Sequence, residues 1–304
     1  MQPNLPAAVV VAPPQGWRIW WTAARPRTLT IAATPVLLGT ALAWADGAPH
    51  AWLPALAALV CALLIQAGTN LHNDVADFER GDDTAERIGP LRVTAAGWAR
   101  PPAVRRAAYG AFAIAFALGG YLVAVGGWPI LAVGVAALAA GWAYSGGPRP
   151  ISHTPLGELF VWVFFGVVAV MGSSWLQAQV LAWSSFLGGV ALGALAAAVL
   201  MLNNYRDLAA DARAGRRTLA AVLGPAGARR AYALLMMLPF VVPGWFALHG
   251  LGGALLALLA LPACVALVRR VAGSEPGPAL NLLLAGTARA ELLFGVLLAI
   301  GILL

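Results

Sequence analysis

The chain has 304 residues, 61% of them hydrophobic and only 10% charged, with a mean hydropathy of +0.81. This composition excludes an ordinary soluble globular domain and marks an integral membrane protein. All 19 basic residues are arginines, and the resulting net charge of +7 is distributed as expected for a bilayer surface, not for nucleic-acid binding.

The N-terminus, "MQPNLPAAVVVAPPQGWRIWW", lacks a charged start followed by an apolar core and a small-residue cleavage site, so a removable signal peptide is not expected. Residues 1–20 are expected to form a cytoplasmic segment, and 21–304 a single transmembrane domain. Apolar windows predict nine spans, at 28–46, 52–74, 104–126, 128–145, 156–178, 183–206, 229–248, 251–270 and 284–303. The fold class is therefore an all-α polytopic bundle, since a membrane barrel would alternate apolar and polar positions.

With nine spans, the arginines fall on one side: in the N-terminal segment, in the loops after spans two, four, six and eight, or on the flanking helix ends. Arg289, about a turn inside span nine, is the loosest fit. The opposing loops, "DGAPH" at 46–50, Gly-Gly-Trp at 126–128 and "HGLGG" at 249–253, carry none. The positive-inside rule then places the N-terminus and the arginine-bearing loops in the cytoplasm. Most of the 12 tryptophans sit near span ends, as interfacial anchors do. Cys61 and Cys264 lie in separate apolar runs and read as packing residues.

Two polar stretches break this pattern in the same way. In "NLHNDVADFERG", residues 70–81, Asn70 precedes Asp74 by four positions and Asp77 by seven. In "NNYRDLAADARAG", residues 203–215, Asn203 precedes Asp207 by four and Asp211 by eight. Each second aspartate is followed four positions later by glycine, Gly81 or Gly215. Helical periodicity would set each group on one face. Carboxylates in the last turns of a membrane helix are disfavoured by the helix dipole and by the bilayer. A hard cation reverses that cost, and amide and carboxylate oxygens together suit Mg²⁺ shared with substrate phosphates.

Four aspartates carry about −4, a diphosphate about −3 and two Mg²⁺ about +4, leaving a deficit of about three positive charges. Arg80, Arg92, Arg206, Arg213, Arg216 and Arg217 lie near enough in sequence to fill it, with guanidinium forks matched to phosphate oxygens. Asp82 and Asp83 lie beyond Gly81, outside the repeated spacing, and are expected only to shape the loop.

At these residues the chain resembles the UbiA superfamily of intramembrane aromatic prenyltransferases, most closely its 1,4-dihydroxy-2-naphthoate branch in menaquinone synthesis. The resemblance rests on "AARPRTLTIAATPVLLGTALAW" at 23–44, the two acidic motifs, "GPLRVTAAGWA" at 89–99 and "YSGGPRPISHTPLGELFVWVFFG" at 144–166. It implies a nine-helix bundle around a central cavity that opens laterally to lipid. It also implies that Asn70, Asp74, Asp77, Asn203, Asp207 and Asp211 hold Mg²⁺ and a polyprenyl diphosphate, with Asn73 as a further substrate contact. The family's usual Gly-Lys-Arg-Thr reads Gly215-Arg216-Arg217-Thr218 here, and Arg149 stands where an uncharged residue is common.

The implied chemistry is ionisation of the allylic C–O bond, capture of the carbocation by an electron-rich ring and, in the naphthoate branch, loss of CO₂ to give demethylmenaquinone. A dry cavity with aromatic walls would delay capture of the cation by water. Arg25 is a candidate partner for the acceptor carboxylate, or else a snorkelling anchor. Tyr144 is a candidate for orienting a reacting group, or else an interfacial tyrosine. Glu158 is a candidate for lining the cavity, or else a structural acid, the favoured reading, at the positive end of a helix begun at Thr154-Pro155. His72 has no Cys or His partner for zinc. Competing readings are another acceptor such as 4-hydroxybenzoate, a transporter, whose acids would lie near mid-membrane, and a phosphatidyl-type transferase, whose motif spacing is not found.

Overall fold

The computed structural model describes residues 14–82, 88–90 and 92–304. Among these, nine helices are long and apolar enough to cross a membrane. In chain order the helices are α1 (Trp17–Ala24), α2 (Pro26–Ala45), α3 (Trp52–Arg80), α4 (Pro101–Gly126), α5 (Trp128–Ser145) and α6 (Gly157–Ala178). Then follow α7 (Trp183–Arg206), the short α8 (Leu208–Arg213), α9 (Leu219–Leu248), α10 (Gly252–Ala272) and α11 (Leu280–Leu303). Prolines open α2 and α4, where a missing N–H costs no helical hydrogen bond. Gly81, at φ 78°, closes α3 in the left-handed conformation that a residue without Cβ adopts readily.

The nine spans match the sequence expectation, with instructive differences at their ends. Helix α3 runs six residues past the expected end at 74, because Asp74 and Asp77 are buried against protein and not left in lipid. Helix α9 begins at Leu219 instead of 229: Gly224, at φ 66° and ψ 175°, and Pro225 kink it, and the helix resumes beyond them. Helix α6 contains a π-helical turn over Val163–Val168, a local widening that hydropathy cannot reveal. The expected boundary at residue 20 falls inside α1, and residues 1–13 of that segment lie outside the described part, as does Asp83.

Helix α7 is the axis of the bundle. Leu192, Ala194, Leu195, Ala198, Met201 and Leu202 are all fully buried on it. Its small residues allow other backbones to approach closely, the usual basis of helix association in lipid. A Cβ built on Gly166 of α6 would lie 2.3 Å from the Gly189 carbonyl oxygen and 2.4 Å from Gly193 Cα. Exposed Trp17, Trp52, Trp128 and Trp183 sit at helix ends, as expected. Trp44, Trp162 and Trp175 instead donate their indole N–H groups inward, to Gln177 Oε1, Val190 O and Gly126 O, at 2.8–2.9 Å. Cys61 and Cys264 are buried, unpaired packing residues.

The Gly166 contact yields a stability prediction. Gly166→Ala forces apart two backbones that cannot rotate away, at a cost of about 2–3 kcal/mol. Gly244→Ala, whose Cβ meets nothing within 4 Å, is expected to be neutral or slightly stabilising. Thermal denaturation in detergent should show a lowered Tm for the first variant only.

Candidate active site

The first acidic motif occupies the end of α3. Asn70 uses both amide hydrogens on the break between α1 and α2, donating from Nδ2 to Ala24 O at 2.8 Å and to Thr28 Oγ1 at 3.0 Å. Its Oδ1 is left to face the cavity that it lines. At that break Arg25 adopts φ 53° and ψ 70°, an uncommon backbone for a residue with a side chain. Asp77 is buried, accepting from Arg80 Nη2 at 2.7 Å through one oxygen and from Arg92 Nη2 at 2.5 Å through the other.

Asp74 is arranged differently from its sequence neighbour. Its two oxygens accept from the backbone N–H groups of Val93 and Thr94, each at 3.0 Å, and it does not line the cavity. It thus anchors the turn that presents Arg92, while Asp77 faces the cavity. Arg80 also donates to Ser145 O at 2.5 Å, tying the end of α3 to α5.

The second motif does not form one continuous helical face. Helix α7 ends at Arg206, Asp207 occupies the break at φ −94° and ψ 7°, and Asp211 sits on the separate α8. The break redirects the spacing of eight while keeping Asn203, Asp207 and Asp211 on the cavity wall. Arg206, buried, grips Asp207 with a fork at 2.8 and 2.6 Å and also donates to Asn203 Oδ1 and Asn281 Oδ1.

Arg216 joins the two motifs. Its guanidinium lies 3.0 Å from Asp82, 3.7 Å from Asp77 and 3.9 Å from Asp211. Burial opposes its charge, but Asp77 and Asp82 outweigh burial and raise its pKa. His153, 3.3 Å from Asp82, is held below the ordinary histidine range by burial and by Arg216. Asp82 was expected only to shape the loop, yet it meets Arg80, Arg216 and His153 and lines the cavity. Its sequence signal was weak because the chain turns back at Gly81, bringing a residue outside the helical repeat beside the repeat. Arg149 and Arg217 are exposed and outside the cavity wall. His72 is buried beside Trp142, ring centroids 6.3 Å apart, and also lies outside the wall.

One cavity of about 590 Å³ begins at these charges. Along α3 its lining runs from Asp77 to Ala58, a span of twenty residues or about 28 Å of helix. The polar end carries Arg25, Asn70, Asn73, Tyr144, Asn203 and Asn204 in addition to the acids. Below lie Phe160, Phe164 and Phe165 from α6, then an apolar end at Leu122, Ile130 and Leu176. Phe116, Leu131 and Val135 line the cavity and are also 63%, 48% and 52% exposed on the outer surface, so the wall between α4 and α5 is open to lipid. The donors present, Asn70 Oδ1 and the carboxylates of Asp77, Asp207 and Asp211, are all hard oxygens and fit Mg²⁺.

Residues 32–279 match the UbiA prenyltransferase family model. The chain is 38% identical over 294 residues to the 1,4-dihydroxy-2-naphthoate octaprenyltransferase of Escherichia coli, covering 94% of this chain and 95% of that one. It is 43% identical over 215 residues to the Mycobacterium tuberculosis protein of the same name, covering 70% and 72%. In fold it resembles a UbiA homolog from Archaeoglobus fulgidus bound to GPP and Mg²⁺, with a TM-score of 0.66, 15% identity and coverage of 94% and 99%. The apo UbiA homolog from Aeropyrum pernix gives a TM-score of 0.68 at 16% identity, with coverage of 91% and 98%. The matched family segment and the near full-length likeness to named relatives establish that the chain belongs to the UbiA prenyltransferase family.

Proposed function

We propose that this protein transfers a polyprenyl group from its allylic diphosphate to 1,4-dihydroxy-2-naphthoate in menaquinone biosynthesis, releasing diphosphate and CO₂. The observation that carries the reading is the polarity of one long cavity: aspartates and arginines at one end, aromatic and aliphatic walls below, and exposed apolar residues of α4 and α5 along its side. The acceptor is supported by the relatives named for that reaction. The electrophile is supported by the fold neighbours holding GPP or DMAPP with Mg²⁺.

In this reading Asp77, Asp207, Asp211 and Asn70 hold Mg²⁺, which when bound neutralises charge gathering on the diphosphate, while Asn203, whose Oδ1 is held by Arg206, donates from Nδ2 to a phosphate oxygen. Arg92 and Arg216, on the cavity wall, exchange carboxylate partners for phosphate oxygens and stabilise the leaving group as the C–O bond breaks with its electron pair, while Arg80 and Arg206, outside the wall, hold Asp77 and Asp207 in place. Asp74 acts through the backbone that carries Arg92. The aromatic and aliphatic wall excludes water from the allylic cation, and aromatic faces attract it. The naphthoate ring supplies the electron pair of the new C–C bond, and departure of CO₂ leaves the electrons of the broken bond with the ring. Arg25 pairs with the acceptor carboxylate and Tyr144 orients the ring, a reading supported by both residues lining the cavity. Arg149 and Arg217 face the aqueous side near the site. The arginine-rich helix ends face the cytoplasm.

Purified protein, Mg²⁺, octaprenyl diphosphate and a panel of aromatic acids test the reading. Dihydroxynaphthoate is expected to be the preferred acceptor with release of CO₂, and preferential prenylation of 4-hydroxybenzoate would overturn it. Asp77→Asn is expected to lose activity at least about 100-fold and to require more Mg²⁺. Asp74→Asn, which replaces one of two acceptors facing two N–H donors, is expected to raise the KM for diphosphate while leaving the Mg²⁺ dependence unchanged. Gly134→Phe places a ring at the α4–α5 opening, where a Cβ meets nothing within 4 Å. Competition between octaprenyl and geranyl diphosphate should then shift toward the short substrate by about ten-fold or more.

A further inference from the structure

Adjacent asparagines at the end of α7 present opposite polarity to the cavity. Asn203 accepts from Arg206 Nη2 through Oδ1 at 2.9 Å, which turns its amide nitrogen toward open space. Asn204 does the reverse, donating from Nδ2 to Glu158 Oε1 at 2.9 Å. A carboxylate can only accept, so this contact fixes which way the Asn204 amide points and leaves Oδ1 on the cavity side. Both asparagines line the cavity. Glu158 itself is 4% exposed and does not line it, and its Oε2 is buried with no hydrogen-bond partner. Besides its own backbone N–H, the carboxylate takes its hydrogen bond from Asn204.

The surroundings of Asn204 differ from those of the acids. Residues Ala196, Leu200 and Asn204 recur at four-residue spacing and all line the cavity, so the Asn204 carbonyl is the polar end of an otherwise apolar stripe. The stripe that carries Val199, Asn203 and Asp207 lies one residue round the helix. On the adjoining α6, Phe160 and Phe164 line the same cavity, ring centroids 4.7 Å apart. An aromatic and aliphatic wall with the Asn204 amide at its polar edge suits a flat aromatic ring bearing a hydroxyl group.

We propose that Asn204 Oδ1 accepts the hydrogen bond of a ring hydroxyl on the aromatic acceptor, and that Glu158 is the positioning residue that holds the amide in the required orientation. The inference rests on the aromatic prenyl transfer argued above and adds a specificity determinant to it. Donation from Nδ2 to a carboxylate enriches the carbonyl oxygen in electron density, as hydrogen bonds in series strengthen one another. The hydroxyl it holds then feeds more density into the ring that must attack the allylic carbon. An acceptor without that hydroxyl leaves Oδ1 desolvated and unpaired, which is the stronger basis for rejecting it.

The test uses full-length, Mg²⁺-loaded protein and two inhibitors competing with dihydroxynaphthoate, 1-hydroxy-2-naphthoate and unsubstituted 2-naphthoate. The unaltered protein is expected to bind the hydroxylated compound about ten-fold more tightly. Asn204→Leu and Glu158→Leu are expected to bring that ratio close to one by raising the hydroxylated inhibitor's constant. The KM for prenyl diphosphate and the Mg²⁺ dependence should stay within about two-fold of the unaltered values. Glu158→Gln keeps an acceptor for Nδ2 and is expected to retain most of the discrimination, which separates orientation from packing. Prenyl diphosphate binding serves as the folding control, and Asn204→Ser replaces Asn204→Leu if the latter fails it. Undiminished discrimination in the Asn204 variants would overturn the proposal, as would an effect confined to Mg²⁺ or diphosphate, or loss of discrimination in Glu158→Gln. If the unaltered protein prenylates no aromatic acid, the underlying reading falls first and takes this inference with it; normal turnover with unchanged inhibitor ratios overturns the inference alone.

Discussion

The arrangement depends on the mutual neutralisation of carboxylates and guanidinium groups at one end of a membrane bundle. Asp77 is 3% exposed and Arg206 2% exposed, and either charge alone at such depth would be strongly destabilising. Paired, they tie together elements distant in sequence: Arg80 and Arg92 converge on Asp77, Arg206 joins Asp207 to Asn281, and Arg216 spans both acidic motifs. The same contacts hold the helix ends in register and keep the cationic groups beside the acids until a more highly charged partner arrives. Arginine suits this double duty, because its fork accommodates carboxylate and phosphate in the same geometry. The replacement of the family's usual lysine by Arg216 extends that behaviour to the junction between the motifs.

Much of the molecule was legible in the sequence because lipid imposes a simple rule on each helix. Nine apolar runs, arginines at alternate ends and tryptophans near the ends were sufficient to give the helix count. The departures have local causes that hydropathy does not register. Gly224 and Pro225 interrupt an apolar run without ending the helix, and the π turn at Val163–Val168 leaves no compositional mark. At the acidic end, the repeated spacing located both motifs but treated their members as equivalent. Asp74 and Asp77 are three residues apart on one helix, yet one binds loop backbone and the other faces the cavity. That division is set by the turn containing Val93 and Thr94, nineteen and twenty residues downstream of Asp74. Asp82 was undervalued for the complementary reason: periodicity describes a helix, and Asp82 lies just beyond one.

Glu158 shows a second limit of reading residues along the chain. Its place in the first turn of α6 accounts for an acid there, since the positive end of a helix favours one. Its partner is on α7, and only the packing of α6 against α7 reveals that the side chain is engaged with an amide on the cavity wall. Local propensity and tertiary engagement both favour the same residue, so neither excludes the other. The glycines that bring α6 and α7 together, Gly166 and Gly189 among them, therefore set the reach of this contact as well as the stability of the bundle.

The length of the cavity has a consequence beyond prenyl transfer. Its lining covers about 28 Å along α3, close to the thickness of a bilayer's hydrocarbon core. A hollow of that depth with charged groups at one mouth is half of an ion-conducting pore. The other half is denied by its closed end, where Val36, Cys61, Leu122, Ile130 and Leu176 belong to one buried apolar cluster. Water entering from the charged mouth meets a mainly aliphatic lining there, with the Ser173 hydroxyl beside it. The cluster thus sets a floor, constraining how far the cavity can deepen to hold longer chains.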